Sequence, residues 1–246
     1  MNRYKLTIEY DGTPFSGWQR QKDLDTVQQR LEEALLPLVK VPTVLYGCGR
    51  TDAGVHALGQ AAHFNTEFDL DCFRIRECVN ARLRDVPIAV LSVEEVSNDF
   101  DARFSAIERS YLYKILNRRA KPCVESNRVW HVVPHINAGK MNAAAQCLVG
   151  KHDFSSFRAA GCQSSSPIKT LNAISVTREG DLVVVKVYAR SFLYRQVRNI
   201  VGSLFFVGCG KWSESDFCEV LAAKDRTKAG LAAPARGLYF LGVRYE

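Results

Sequence analysis

One short segment of this chain gathers the residue types that covalent chemistry needs. Gly47-Cys48-Gly49-Arg50-Thr51-Asp52-Ala53-Gly54-Val55-His56-Ala57 sets one carboxylate and one guanidinium among three glycines. Glycine permits backbone angles and close approaches that a side chain forbids, so the segment can present Asp52 to a ligand at short range. Arg50 beside Asp52 would favour the ionised carboxylate, which suits a nucleophile or a base. The same residue types also fit a structural salt bridge in a tight turn. The segment is not a phosphate-cradling P-loop, since no G-K-[ST] follows its glycines.

Three further segments stand out from their surroundings. Tyr10-Asp11-Gly12-Thr13-Pro14-Phe15-Ser16-Gly17-Trp18-Gln19 reads as a turn-rich loop that exposes Phe15 and Trp18. Those rings could stack on nucleic-acid bases or cover the adjacent helix. Arg103 to Tyr113 places Tyr111 and Tyr113 on one strand face beside arginines, which fits either base stacking or ordinary sheet core. Phe192 to Gly202 puts Arg195 and Arg198 on one helix face beside an apolar stripe, as snorkelling surface arginines or as cations pointed into a cleft.

The elements that must position these segments occur twice in the same order. Tyr4, Leu6, Ile8 and Tyr10 alternate with polar residues as in a half-buried strand, and Thr26 with Gln29 predicts a capping box for a helix carrying Val27, Leu31, Ala34, Leu35 and Leu38. Strands near 43–48 and 60–65, a helix near 70–83 and a strand near 87–94 complete β-α-β-β-α-β. The second pass has a strand from Arg109 to Leu116, a helix capped by Asn137, a hairpin of 170–177 and 182–189, an apolar helix from Leu193 to Val207, and a last strand from Leu238 to Val243. A short helix capped by Ser213 precedes that strand. The expected fold is α+β, two tandem ferredoxin-like halves at 1–105 and 106–246 with mainly antiparallel sheets side by side and a cleft between them.

Composition narrows the class. The chain has 246 residues and a net charge of +7. The charge is unevenly divided: residues 1–105 hold 12 Lys/Arg against 16 Asp/Glu, a balance of −4, and the remainder carries +11. A basic half of this kind suits a polyanion such as RNA, or is simply a solvated basic surface. The eight cysteines have no zinc-type spacing, and with no signal peptide or long apolar run they are expected to be reduced core residues of a cytoplasmic protein. Leu204, Phe205, Phe206 and Val207 are more apolar than one helix face requires, which suits a dimer interface or a helix buried all round.

The segments YDGTPFSGWQ, GRTDAGVHA, ARFSAIERSYLY, VRNIVG and AKDRTKAGLAAPARGLYF occur in the order and spacing of the TruA family of transfer RNA pseudouridine synthases, which the chain resembles over nearly its whole length. The resemblance implies a cofactor-free, metal-free isomerase that converts uridine to pseudouridine at nucleotides 38–40 of the anticodon stem-loop, working as a homodimer with a basic tRNA cleft. It implies that Asp52 is the catalytic aspartate and that Arg50 pairs with it and helps extrude the target nucleotide. Tyr111 would stack on the uracil and serve in proton transfer, Arg198 would salt-bridge the aspartate, and Leu238 would lie near the base. Gln196 departs from the methionine the family often carries before V-R. Against this stand a non-catalytic RNA-binding protein built on two ferredoxin-like platforms and a metal-dependent nuclease. The nuclease reading suffers from Asp52 having no acidic neighbour in sequence.

Overall fold

The computed structural model describes residues 1–246. It forms two compact units, Met1–Ile107 with Tyr239–Glu246, and Glu108–Leu238. The first contains β1 (Asn2–Tyr10), α1 (Val27–Val39), β2 (Tyr46–Gly47), β3 (His56–Thr66), α2 (Cys72–Arg82) and β4 (Ile88–Val96). The second contains β5 (Glu108–Asn117), β6 (Trp130–Val132), α3 (Ala138–Ala145), β7 (Gly150–Asp153), β8 (Ile168–Glu179), β9 (Leu182–Ala189), α4 (Gln196–Gly208) and α5 (Glu214–Ala223). The last strand is β10 (Leu238–Arg244).

In the first unit β1 lies between β4 and β3 and is antiparallel to both, while β2 pairs with the other edge of β3. The order β4-β1-β3-β2 is that of a split β-α-β unit, as the element order predicts. The two-residue alternation of β1 puts Tyr4, Leu6, Ile8 and Tyr10 in the core. The strand expected at 43–48 is reduced to Tyr46–Gly47. The capping box on α1 is half formed: the Thr26 hydroxyl accepts the Gln29 N–H at 3.4 Å, but the Gln29 side chain donates along the helix to Glu33. Parallel pairing of Tyr239 and Phe240 with His56 and Ala57 joins β10 to this unit, although the sequence reading kept 106–246 whole.

The second unit has the antiparallel order β5-β9-β8-β7, with the short β6 parallel to β5. The β8–β9 turn uses Gly180 at φ +61. Neither β6 nor β7 is apparent from the sequence, because three or four residues are too few to display a period. In α4 the residues Val197, Ile200, Val201, Leu204 and Val207 are buried. Phe205 packs on Trp130 and Phe206 on Trp212, so the apolar run at 204–207 is used within its own unit. The α+β class and the mainly antiparallel pairing are as the sequence led us to expect.

Candidate active site

Two glycine-bearing loops of the first unit lock together around Asp52. The Trp18 N–H donates to the Thr51 carbonyl at 3.1 Å, and the Tyr10 hydroxyl lies 2.8 Å from Thr51 Oγ1. There is no room for side chains at the crossing points. A Cβ on Gly12 would stand 2.0 Å from the Val55 carbonyl oxygen, one on Gly17 would stand 2.6 Å from the Thr51 carbonyl oxygen, and one on Gly47 would enter the Trp18 indole. Gly17 also sits at φ +98, where other residues are strained. Gly12, Gly17 and Gly47 therefore serve close packing between the two segments, and the packing fixes the turn that carries Asp52.

The turn is closed from within by the Val55 N–H, which donates to the Asp52 carbonyl at 3.1 Å, with Gly54 at φ +75. Its flanks are tied to the strand below. The Gln60 side chain donates to the Gly49 carbonyl and accepts from the Cys48 thiol, each at 2.9 Å. His56 is buried and stacks on Tyr239 with ring centroids 4.7 Å apart. Its Nδ1 lies 3.1 Å from the Gly12 N–H and 3.0 Å from Asp11 Oδ1. A neutral Nδ1 accepts from Gly12, whereas a protonated one donates to Asp11. Thr51 and His56 are thus buried supports, while Asp52 is half-buried and Arg50 is exposed. A carboxylate presented on a rigid, partly open turn is what a nucleophile or general base requires.

Phe15 and Trp18 do not stack on bases in this arrangement. Both are buried, and Trp18 packs against Tyr10. Of the two alternatives for those rings, covering the protein interior is the one the fold uses.

In the second unit, Tyr111 is half-buried on β5 and meets Phe192 edge to face at 5.0 Å. Tyr113 is wholly buried. Its hydroxyl donates to the Pro234 carbonyl at 2.7 Å, and burial pushes its phenol far above the ordinary range despite the opposing pull of Arg198 and Arg236. The tyrosines of this strand therefore divide into one core residue and one accessible ring.

Arg198 is held by its own helix and by the segment 230–233. Its Nε donates to the Ala233 carbonyl at 2.7 Å, while the Ala233 N–H donates to the Arg198 carbonyl at 3.0 Å. Gly202 makes this docking possible, because a Cβ there would stand 1.8 Å from the Leu231 carbonyl oxygen. Arg195 is not on the same helix face as Arg198. It is the residue before α4, at φ 58, and its guanidinium lies over the Tyr194 ring at 4.9 Å. Gln196 is buried, and its Oε1 accepts the Leu193 N–H at 2.7 Å to cap the turn. Leu238 is buried at the start of β10. The structure thus brings Arg50 and Asp52 onto one loop of the first unit and places Tyr111, Arg198 and Leu238 at three points of the second.

A sequence profile described as tRNA pseudouridine synthase matches residues 6–105 and 144–246. The chain belongs to the tRNA pseudouridine synthase family. Relatives bearing the name tRNA pseudouridine synthase A include that of Rhodospirillum rubrum, 54% identical over all of this chain and 88% of its own length. Those of Xanthobacter autotrophicus and Maricaulis maris are 52% and 51% identical, again over all of this chain and over 100% and 98% of theirs. Membership makes the chain an isomerase acting on uridine in tRNA.

Sequence reasoning overlooked the supporting residues of the Asp52 turn, Gln60 among them, and the paired role of Gly12 and Gly17. The available signal was the coincidence of two glycine-rich segments, each too rich in glycine for a single turn. The thiols also differ from expectation: Cys48 alone is fully buried, and Cys123 is exposed.

Proposed function

We propose that Asp52 is the catalytic carboxylate of a cofactor-free uridine isomerisation in the anticodon stem-loop of tRNA, at nucleotides 38–40. The observation that carries this reading is the locked turn: a half-buried carboxylate held by backbone packing from two glycine-bearing loops, in a chain of this family. The reaction breaks the bond from C1′ to N1, turns the uracil and joins C1′ to C5, after which the C5 proton leaves and N1 takes up a proton. Product and substrate are isomers, so no group is imported and no electrons are exchanged. One carboxylate can begin this by attacking C1′ or by removing the C2′ proton.

Arg50, Tyr111, Arg198 and Leu238 are the substrate-binding residues in this proposal. A uridine in a stem must leave its stack before C1′ can be reached, which costs a few kcal/mol. An exposed arginine next to the carboxylate and an accessible tyrosine ring are suited to holding the extruded nucleotide. In this proposal the enzyme acts in the cytoplasm as a homodimer on the anticodon arm of tRNA, without a membrane partner. No helix is long and apolar enough to cross a bilayer.

Tritium release from tRNA labelled at uracil C5 tests the chemistry. Wild-type protein should release the label and Asp52→Asn should not. Undiminished release by the variant contradicts the role of Asp52, and stable tRNA binding without any release favours a non-catalytic RNA-binding protein.

A further inference from the structure

A second feature of the Glu108–Leu238 unit is not accounted for by the catalytic residues. Residues Ser155, Arg158, Ala160, Gly161, Cys162 and Arg226 line an open pocket of about 420 Å³. Two guanidinium groups face it and no carboxylate does. Arg158 donates to the carbonyls of Cys162 and Ser164 at 3.0 and 2.7 Å. Arg226 donates to the carbonyls of Ala229 and Gly230 at 3.3 and 3.0 Å and to Asn199 Oδ1 at 3.2 Å. Neither makes an ion pair. Neighbouring carboxylates are engaged elsewhere, Asp225 on Thr227 and Asp153 on Ser155. Carbonyl dipoles orient a guanidinium without cancelling its charge, so the pocket holds two fixed, half-buried positive charges.

The start of α4 borders the same pocket. The Ala159 N–H donates to the Tyr194 carbonyl at 3.2 Å, the Tyr194 N–H donates to Cys162 Sγ at 3.4 Å, and Asn199, the partner of Arg226, lies in the first turn of the helix. The helix dipole adds positive potential there. Cys162 senses the result. Burial alone would raise its thiol, yet the Tyr194 and Ser164 N–H groups and the Arg158 guanidinium bring it below the ordinary thiol range.

We infer that this pocket binds a phosphate group of the tRNA backbone through Arg158 and Arg226. The assignment of the phosphate to tRNA rests on the function proposed above. A phosphate held beside the first turn of α4 sets the register of the RNA with respect to Arg198 on the same helix. It carries no base specificity, because every nucleotide offers the same group. The contribution is to affinity and positioning rather than to bond breaking.

Cys162 supplies the reporter. Full-length protein is treated with iodoacetamide, alone, with an anticodon stem-loop RNA, or with inorganic phosphate at matched ionic strength, and alkylation is resolved by residue with mass spectrometry. The RNA should slow modification of Cys162 at least about fivefold while leaving the exposed Cys123 unaffected, and phosphate should do much less. Saturating RNA that leaves the Cys162 rate unchanged overturns the proposal, and protection by phosphate equal to that by RNA makes this a free-anion site instead.

A variant that leaves the structural hydrogen bonds of the arginines in place gives a second test. Ala160→Glu adds a carboxylate at an exposed rim position. It should raise KM for tRNA about tenfold, more than it lowers kcat. An unchanged KM in a variant with wild-type circular dichroism contradicts the proposal. Pseudouridine formation by the wild type in the same samples reports separately on the parent reading.

Discussion

In the first unit, 13 Lys/Arg face 17 Asp/Glu, and four of the cations pair with carboxylates: Lys5 with Glu94, Arg20 with Glu32, Arg30 with Asp25 and Arg76 with Glu77. In the second, 20 Lys/Arg face 9 Asp/Glu; Lys114 and Arg118 pair with Glu125 and Asp181, while Arg158 donates to the carbonyls of Cys162 and Ser164 and Arg226 to those of Ala229 and Gly230. The first arrangement neutralises charge locally. The second, at Arg158 and Arg226, fixes guanidinium groups in place without an ion-pair partner. A unit built the second way is suited to a polyanion, and one built the first way can hold a single carboxylate on a precisely shaped turn.

The contrast extends to how each unit is made rigid. Around Asp52 backbone meets backbone at Gly12 and Gly17, Gly47 lies against the Trp18 indole, and Tyr10 and Thr51 form a buried hydroxyl pair. Around Arg198 a helix and an extended segment dock at Gly202 and Gly230. Chemistry needs sub-ångström placement of one group, whereas phosphate binding tolerates small adjustments of long side chains.

The largest expected effect tests whether Trp18 belongs to the interior. Trp18→Ala should cost about 3–5 kcal/mol of stability by denaturant titration. A base-stacking ring would instead leave stability unchanged and weaken RNA binding. Next is the interlock: Gly12→Ala should cost about 1–3 kcal/mol and lower kcat about 100-fold, since displacement of the turn moves the carboxylate. Retained kcat in this variant would show that the turn is not held by the glycine loop.

The charge contrast is sharpened by two arginine changes. Arg158→Gln should lower the slope of log affinity for tRNA against log salt by about one, while Arg20→Gln, whose partner is Glu32, should leave it unchanged. Equal effects would remove the distinction between the units. The smallest effect concerns His63, whose Nδ1 accepts the Ala102 N–H at 3.1 Å and whose burial holds it below the ordinary imidazole range. The unfolded chain takes up this proton first, so stability should decline as pH falls through about 6.5. In His63→Gln that segment of the pH–stability curve should flatten.

The fold was legible where a period had length to show itself. Tyr4 to Tyr10 and Val197 to Val207 announce a strand and a buried helix, and they are found there. The three-residue β6 and the pairing of Tyr239 with His56 were not legible, because pairing partners far apart in sequence leave no local pattern. In the loop bearing the proposed site, Arg50 and Asp52 were visible through their glycines. The identity of the groups that meet Gly12, Gly17 and Gly47, which are Val55, Thr51 and Trp18, was not, since a missing side chain does not say what occupies its place. Likewise Arg195 looked like a neighbour of Arg198 on a helix, but the chain enters α4 through a left-handed residue there.

The central claim is that the Asp52 turn performs the chemistry while arginines of the other unit supply the grip. Its most direct test is Asp52→Asn measured twice, by single-turnover pseudouridine formation and by equilibrium binding of the same tRNA. The account predicts a rate lower by at least about 1,000-fold with Kd within about threefold of wild type. A Kd that rises in step with the loss of rate, or a rate that survives the substitution, would contradict it.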